Sequence, residues 1–346
     1  MIAVLSRRDF LKKSGLAVMG VSCAGRLTSV AGAGDAGEAA RSRVVLVRHR
    51  RVVDSEGRIQ QPLLEEMLDE AMTSFTGRRS IAEAWRKYFS PEDTIGLKVN
   101  ANSARMLRGT EMNAHYRALT SALLSGCQRA GIEESQCVIW DRSEEELSSA
   151  GFTVQNDPGK VRVLGTNRGR REPGGIGFSR ESFPVGEAST QVSRILTEIC
   201  TTVINIPVLK DHGVAGMTGA LKNHYGSISN PRTFHDNGCT GPGAPEINAI
   251  PVIREKERLI VCDALLGVYN GGPRWQRPYV WPYGGVVVGT DPVAVDSVLL
   301  GILEEKRRSE AMEQVGHRAR HVRVAQELGL GVADPDNIQL LRKELG

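Results

Sequence analysis

Short runs of β-branched residues alternate with longer stretches of helical spacing along most of this chain. Residues 44–47 read as a strand, 61–75 as a helix and 94–99 as a second strand. A polar loop then leads to a helix over 112–130, where Tyr116, Leu119, Leu123, Cys127 and Ala130 share one face and Gly131 supplies the stop. The run 136–140 is the next strand, which closes a βαβ unit. Residues 157–178 read as a strand with a long Gly-, Arg- and Pro-rich loop, 192–199 as a short helix and 202–206 as a strand.

The segment 207–245 shows little periodicity and many polar and glycine residues. Beyond it, 259–263 and 285–288 are strands, 291–304 and 317–328 helices, and 338–341 a last strand. This alternation predicts an α/β protein with a mostly parallel sheet and helices on both faces, in one body or two lobes.

The first residues carry a separate signal. Ser6-Arg7-Arg8-Asp9-Phe10-Leu11-Lys12 matches the twin-arginine export pattern, with an apolar stretch over 15–23 and a small-residue cleavage site at Ala31-Gly32-Ala33. The expectation is a signal peptide over 1–33, a flexible start over 34–42 and an α/β domain over 43–346. Lipidation at Cys23 is the alternative to cleavage after Ala33. The expected route is the twin-arginine translocase, and the destination the periplasm or the exterior.

That leader changes the charge picture. It holds five basic residues against Asp9, and the whole chain carries a net +4, so the remainder is near neutral. No nucleic-acid or membrane-surface role is predicted from charge, and no later apolar run is long enough to span a bilayer. Export of an already folded chain favours a bound cofactor.

Candidate chemistry clusters after strands, where open parallel sheets bind ligands. Lys98, Asn100, Asn102 and Arg105 follow one strand and supply donors for an anionic or carbonyl-bearing substrate. Asn205 ends another, and Lys210, His212, Gly219, Lys222, Asn223, His224, His235 and Cys239 crowd the segment behind it. Glycine lets backbone approach a ligand, lysine can link covalently or bind an anion, and neutral imidazole is a base or a metal ligand. Lys210, His212 and Lys222 are the catalytic candidates. Gly219, Lys222, Asn223 and His224 are candidates for holding a cofactor, and His212, His235 and Cys239 for holding a metal, although their spacing matches no standard zinc motif.

Asp263, just beyond a strand, joins the candidate substrate-binding residues with Lys98, Asn100, Asn102, Arg105 and Asn205. Asp291 reads as a helix cap. Asp296, one turn on, suits the helix dipole or orients a site lysine. Of the five cysteines after the leader, Cys127, Cys137, Cys200 and Cys262 read as core, and no C-x-x-C pair marks a cluster site.

Four ordered blocks, V-I-N-I-P-V-L-K-D-H, M-T-G-A-L-K-N, D-A-L-L-G-V-Y-N-G-G-P and G-T-D-P-V-A-V-D, resemble the domain-of-unknown-function 362 family from about Val44 to the C-terminus. Relatives with fused ferredoxin-type cysteine runs imply an iron–sulfur role, and this chain lacks those runs. A more distant likeness joins His212, Gly219, Lys222 and His235 to the lactate racemase family. It implies a nickel-pincer nucleotide tethered to Lys222, with His235 on the metal and His212 as an acid/base group. Three functional expectations result. The first is a cofactor- or metal-dependent oxidoreductase or isomerase acting on a small anionic or carbonyl substrate. The second is an iron–sulfur electron carrier, and the third a non-catalytic periplasmic binding protein for an anion.

Overall fold

The computed structural model describes residues 41–169 and 172–346. The expected leader and most of the flexible start lie outside them. Twelve strands are named here in chain order: β1 (Ser42–His49), β2 (Ile95–Lys98), β3 (Cys137–Ser143), β4 (Arg162–Asn167), β5 (Phe178–Val185), β6 (Ala188–Ser193), β7 (Thr202–Asn205), β8 (Val208–His212), β9 (Gly216–Met217), β10 (Glu257–Val268), β11 (Val280–Gly289) and β12 (Ile338–Leu345).

Eight of them line up in the order β12-β1-β11-β10-β7-β2-β3-β4, with β8 and β9 attached beside β10. Pairing is parallel from β10 through β4 and between β1 and β12; β11 runs antiparallel to both of its neighbours. The mostly parallel α/β sheet is therefore present. The alternative of two lobes is not, since Ala40–Gly346 clusters as one unit.

Alternation along each strand feeds two cores. Val45 and Val47 of β1 pack with helices Gln61–Thr76 and His115–Arg129, while Val44 and Leu46 pack with helix Pro292–Ser309 and its neighbours. A sheet buried on both faces explains strands that read as continuous apolar runs. None of the helices among the described residues is long and apolar enough to cross a membrane.

The helix boundaries follow local chemistry. Gly131, at φ 88°, ends the helix before it, and Ile132 N–H returns to the Cys127 carbonyl at 3.1 Å. Asp291 caps helix Pro292–Ser309, accepting from Val293 and Ala294 N–H at 2.9 Å each.

Two readings need correction. Residues 192–199 are not one helix: Val192 and Ser193 end β6, which hairpins with β5, and only Ile195–Ile199 coil, as a single π turn. The alternating burial of Thr190 and Val192 belongs to the strand. The segment 207–245 holds β8 and β9, whose seven residues are all buried, so no amphipathic period could mark them.

Candidate active site

The C-terminal ends of β2, β3 and β8 meet the segment that follows β9, and a cavity of about 450 Å³ lies there. Its volume is in the range of small-molecule sites. Lys98, Asn100, Asn102, His212, Lys222, Asn223 and His235, all singled out from sequence, line it. Sequence reasoning missed Asp141, Arg142, Glu146, Tyr225 and Arg232, which line it too. Asp141 carried a usable signal, a charged residue directly after the predicted strand 136–140. The lining has four basic side chains, Lys98, Arg142, Lys222 and Arg232, against two acidic ones, Asp141 and Glu146. That balance suits an anion.

Lys98 is buried and committed. Its Nζ donates to Asp141 Oδ1 at 2.7 Å and to the Val99 carbonyl at 2.7 Å. Asp141 is held in turn by the N–H groups of Ala101 and Arg142, each at 2.7 Å.

Lys222 is placed differently. It rides on the four-residue helix Ala220–Asn223, whose N–H groups at Ala220 and Leu221 donate to Asp296 at 2.6 and 3.1 Å. Its Nζ lies 3.7 Å from the Tyr225 ring centroid and 3.4 Å from His235 Nε2, and it makes no salt bridge to a described carboxylate. Burial pushes its pKa below the usual lysine range, an effect partly opposed by the neighbouring Cys239 thiol.

The two cleft histidines have opposite polarity. His212 Nδ1 accepts from the N–H groups of Val214 and Ala215 at 3.2 and 3.1 Å, so the ring proton sits on Nε2. Burial, joined by the charge of Lys222, pushes its pKa down to about 2. Its Nε2–H is therefore a hydrogen-bond donor. His235 Nδ1 lies 2.7 Å from the Pro231 carbonyl, an acceptor only, which leaves the lone pair on Nε2 facing Lys222.

Several expected residues are engaged elsewhere. Gly219 lies against Asp296, whose carboxylate a Cβ would overlap; its φ of 172° is ordinary extended backbone. His224 bonds Glu257 and Ser227, at 2.7 and 3.0 Å. Asn205 lies beneath Asn223, 2.7 Å away. Asp263 pairs with buried His115 at 2.5 Å, and Arg105 is exposed on the turn Ala104–Leu107. Lys210 does not line the cavity but reaches Asn100 Oδ1, 3.0 Å away; burial lowers its pKa to about 8.

The expected metal set is not assembled. Among the described residues no three His, Cys, Asp or Glu side chains are grouped as metal ligands. The rings of His212 and His235 lie 6.0 Å apart, and Cys239 is buried with Sγ 3.8 Å from the His235 carbonyl. All five described cysteines are buried, so Cys239 joins the four read as core. His321, absent from the sequence candidates, is buried with both ring nitrogens unpartnered, and burial followed by the Lys222 charge pushes it down to about 3.

No curated protein matches the chain. A crystal structure of a Northeast Structural Genomics Consortium target protein from Thermotoga maritima is similar over 78% of this chain, at 12% identity and a TM-score of 0.39. The chain spans 59% of that protein's length. The family model described as Domain of unknown function (DUF362) matches residues 95–301, which carry the cleft from Lys98 to Pro273, and the chain belongs to that family.

Proposed function

We propose that this chain is an enzyme acting on a small anionic carbonyl compound, with Lys222 as the amine that engages the carbonyl carbon as an imine. The observation that carries the reading is a buried lysine without a carboxylate partner, its pKa lowered, facing an imidazole lone pair at 3.4 Å. The neutral amine adds to the carbonyl carbon, and the carbonyl oxygen leaves as water with both amine hydrogens. His235 Nε2 takes the ammonium proton that must first be lost. His212 Nε2–H is a donor, suited to an oxygen that gains negative charge. Proton transfer beside the imine carbon then gives isomerase-type chemistry.

A cofactor would meet the same two residues. Lys222 and His235 fit the tether and single metal ligand that the lactate racemase resemblance implies, because His235 keeps a lone pair on Nε2. A nickel-pincer nucleotide bound there would supply hydride chemistry. Among the described residues no group of three metal ligands forms around His235. The proposed setting is the periplasm or the exterior, on the leader pattern alone.

The test is borohydride reduction in the presence of pyruvate or acetaldehyde, followed by peptide mass mapping. A reduced adduct on Lys222, absent in Lys222→Met, is the expected result. An unmodified Lys222 under both probes would overturn the imine.

A further inference from the structure

A directed line of side-chain hydrogen bonds, buried or part-buried, leaves the cleft floor. Lys210 Nζ donates to Asn100 Oδ1 at 3.0 Å, and Asn100 Nδ2 to Asn223 Oδ1 at 3.0 Å. Asn223 Nδ2 donates to Asn205 Oδ1 at 2.7 Å, and Asn205 Nδ2 to Glu257 Oε2 at 2.6 Å.

Both ends dictate the direction. An ammonium group only donates and a carboxylate only accepts. Two branches agree with it: Asn223 Nδ2 also reaches the Lys98 carbonyl at 3.2 Å, and Asn205 Nδ2 the Ala220 carbonyl at 3.0 Å. Turning over any one amide would set donor against donor and acceptor against acceptor. Glu257 itself lies outside the cleft, bonded to His224 and lining a separate cavity of about 180 Å³.

The line settles what the floor offers a ligand. Asn100 lines the cleft, and its oxygen is taken by Lys210. One of its two N–H groups goes to Asn223, and the second has no partner among the described residues. Lys98 lies beside it, but its three N–H groups go to Asp141, the Val99 carbonyl and that same Asn223 oxygen, at 2.7, 2.7 and 3.4 Å. Reversed, Asn100 would present a carbonyl oxygen and repel an anion.

We infer that Glu257, Asn205 and Asn223 are positioning residues that hold Asn100 as a donor, and that Asn100 seats the carboxylate of a 2-oxo acid whose keto carbon meets Lys222. The inference rests on the imine reading for the keto carbon and on the amide line for the carboxylate. Lys222 and Asn223, adjacent on one short helix, join the two halves.

The experiment uses Glu257→Gln, which keeps the shape and removes the acceptor-only end. In protein labelled with nitrogen-15, the side-chain amide signals of Asn205, Asn223 and Asn100 should all move. A shift confined to Asn205 would overturn the line. In borohydride trapping, half-saturation by pyruvate should rise about tenfold, the loss expected for one hydrogen bond to a charged group, while that by acetaldehyde should hold. An equal rise for both probes would overturn the carboxylate seat. Asn100→Asp, which puts an acceptor in the donor's place, should give the same split if the first variant does not fold. A wild-type protein that traps neither probe sinks the imine reading alone, and the amide signals still decide the line.

Discussion

His235 Nε2 stands 3.4 Å from Lys222 Nζ, and the opposite nitrogen of the same ring is held 2.7 Å from the Pro231 carbonyl. A carbonyl cannot donate, so the proton of the neutral ring is fixed on Nδ1 and the lone pair is aimed at the amine. The turn 231–235 lines the cleft through Pro231, Arg232 and His235. It delivers an acceptor to the one cleft lysine that lacks a carboxylate.

If that acceptor takes the lysine proton, His235→Gln should slow adduct formation at Lys222 by about 10²-fold or more, the usual worth of a positioned base. Half-saturation by pyruvate should change little, because the carboxylate seat lies with Asn100. Quenched-flow trapping with borohydride measures both quantities. An unchanged rate would remove His235 from the proton path.

The strand ends were readable because each ends in a side chain that an apolar core would not keep without cause. Lys98 marked the end of β2, while His212 was picked out only as a residue of an unassigned segment; both line the cavity. Roles were less readable than positions. Nothing in the spacing tells that His212 Nδ1 is filled by the backbone N–H groups two and three residues on, or that Asp263 closes on His115 across 148 positions. Partners that spacing does not reveal, near or far in the chain, decide such roles. His224 shows this best, since it sits two residues from Lys222 yet belongs to Glu257, not to the cleft. His321 was invisible for a simpler reason: it lies in a helix of otherwise ordinary surface pattern, far from every motif.

The buried Lys98–Asp141 pair at 2.7 Å predicts an asymmetric pair of variants. Lys98→Met strands a carboxylate in the interior and should cost about 3–5 kcal/mol of stability. Adding Asp141→Asn removes the stranded charge while an amide oxygen can still accept from Ala101 or Arg142 N–H. The double variant should therefore be more stable than Lys98→Met alone. Urea denaturation of both, with the wild type, measures the difference. A double variant less stable than the single one would show that Asp141 serves the two N–H groups more than it serves Lys98.

Asp296 sets the helix that carries Lys222, and it does so at a pH-dependent cost. Burial raises its pKa to about 8, against the pull of the Ala220 and Leu221 N–H groups. The folded chain then binds more protons at Asp296 than the unfolded chain between the ordinary value of 3.8 and about 8. Its contribution to stability is full below that window and is lost as pH rises through about 8. His212 and His321, pushed down to about 2 and about 3, act with the opposite sign up to the ordinary histidine value of 6.5. The wild-type curve alone mixes the three. The difference between wild type and Asp296→Asn isolates one, because the histidines are common to both. Stability of the wild type relative to the variant should fall steadily from about pH 4 to about pH 8 and level off beyond, as read from urea midpoints across that range. A difference that stays flat from about pH 4 to about pH 8 would mean that the two N–H groups hold the carboxylate ionised throughout, and that the helix under Lys222 is anchored by charge rather than by a protonated acid.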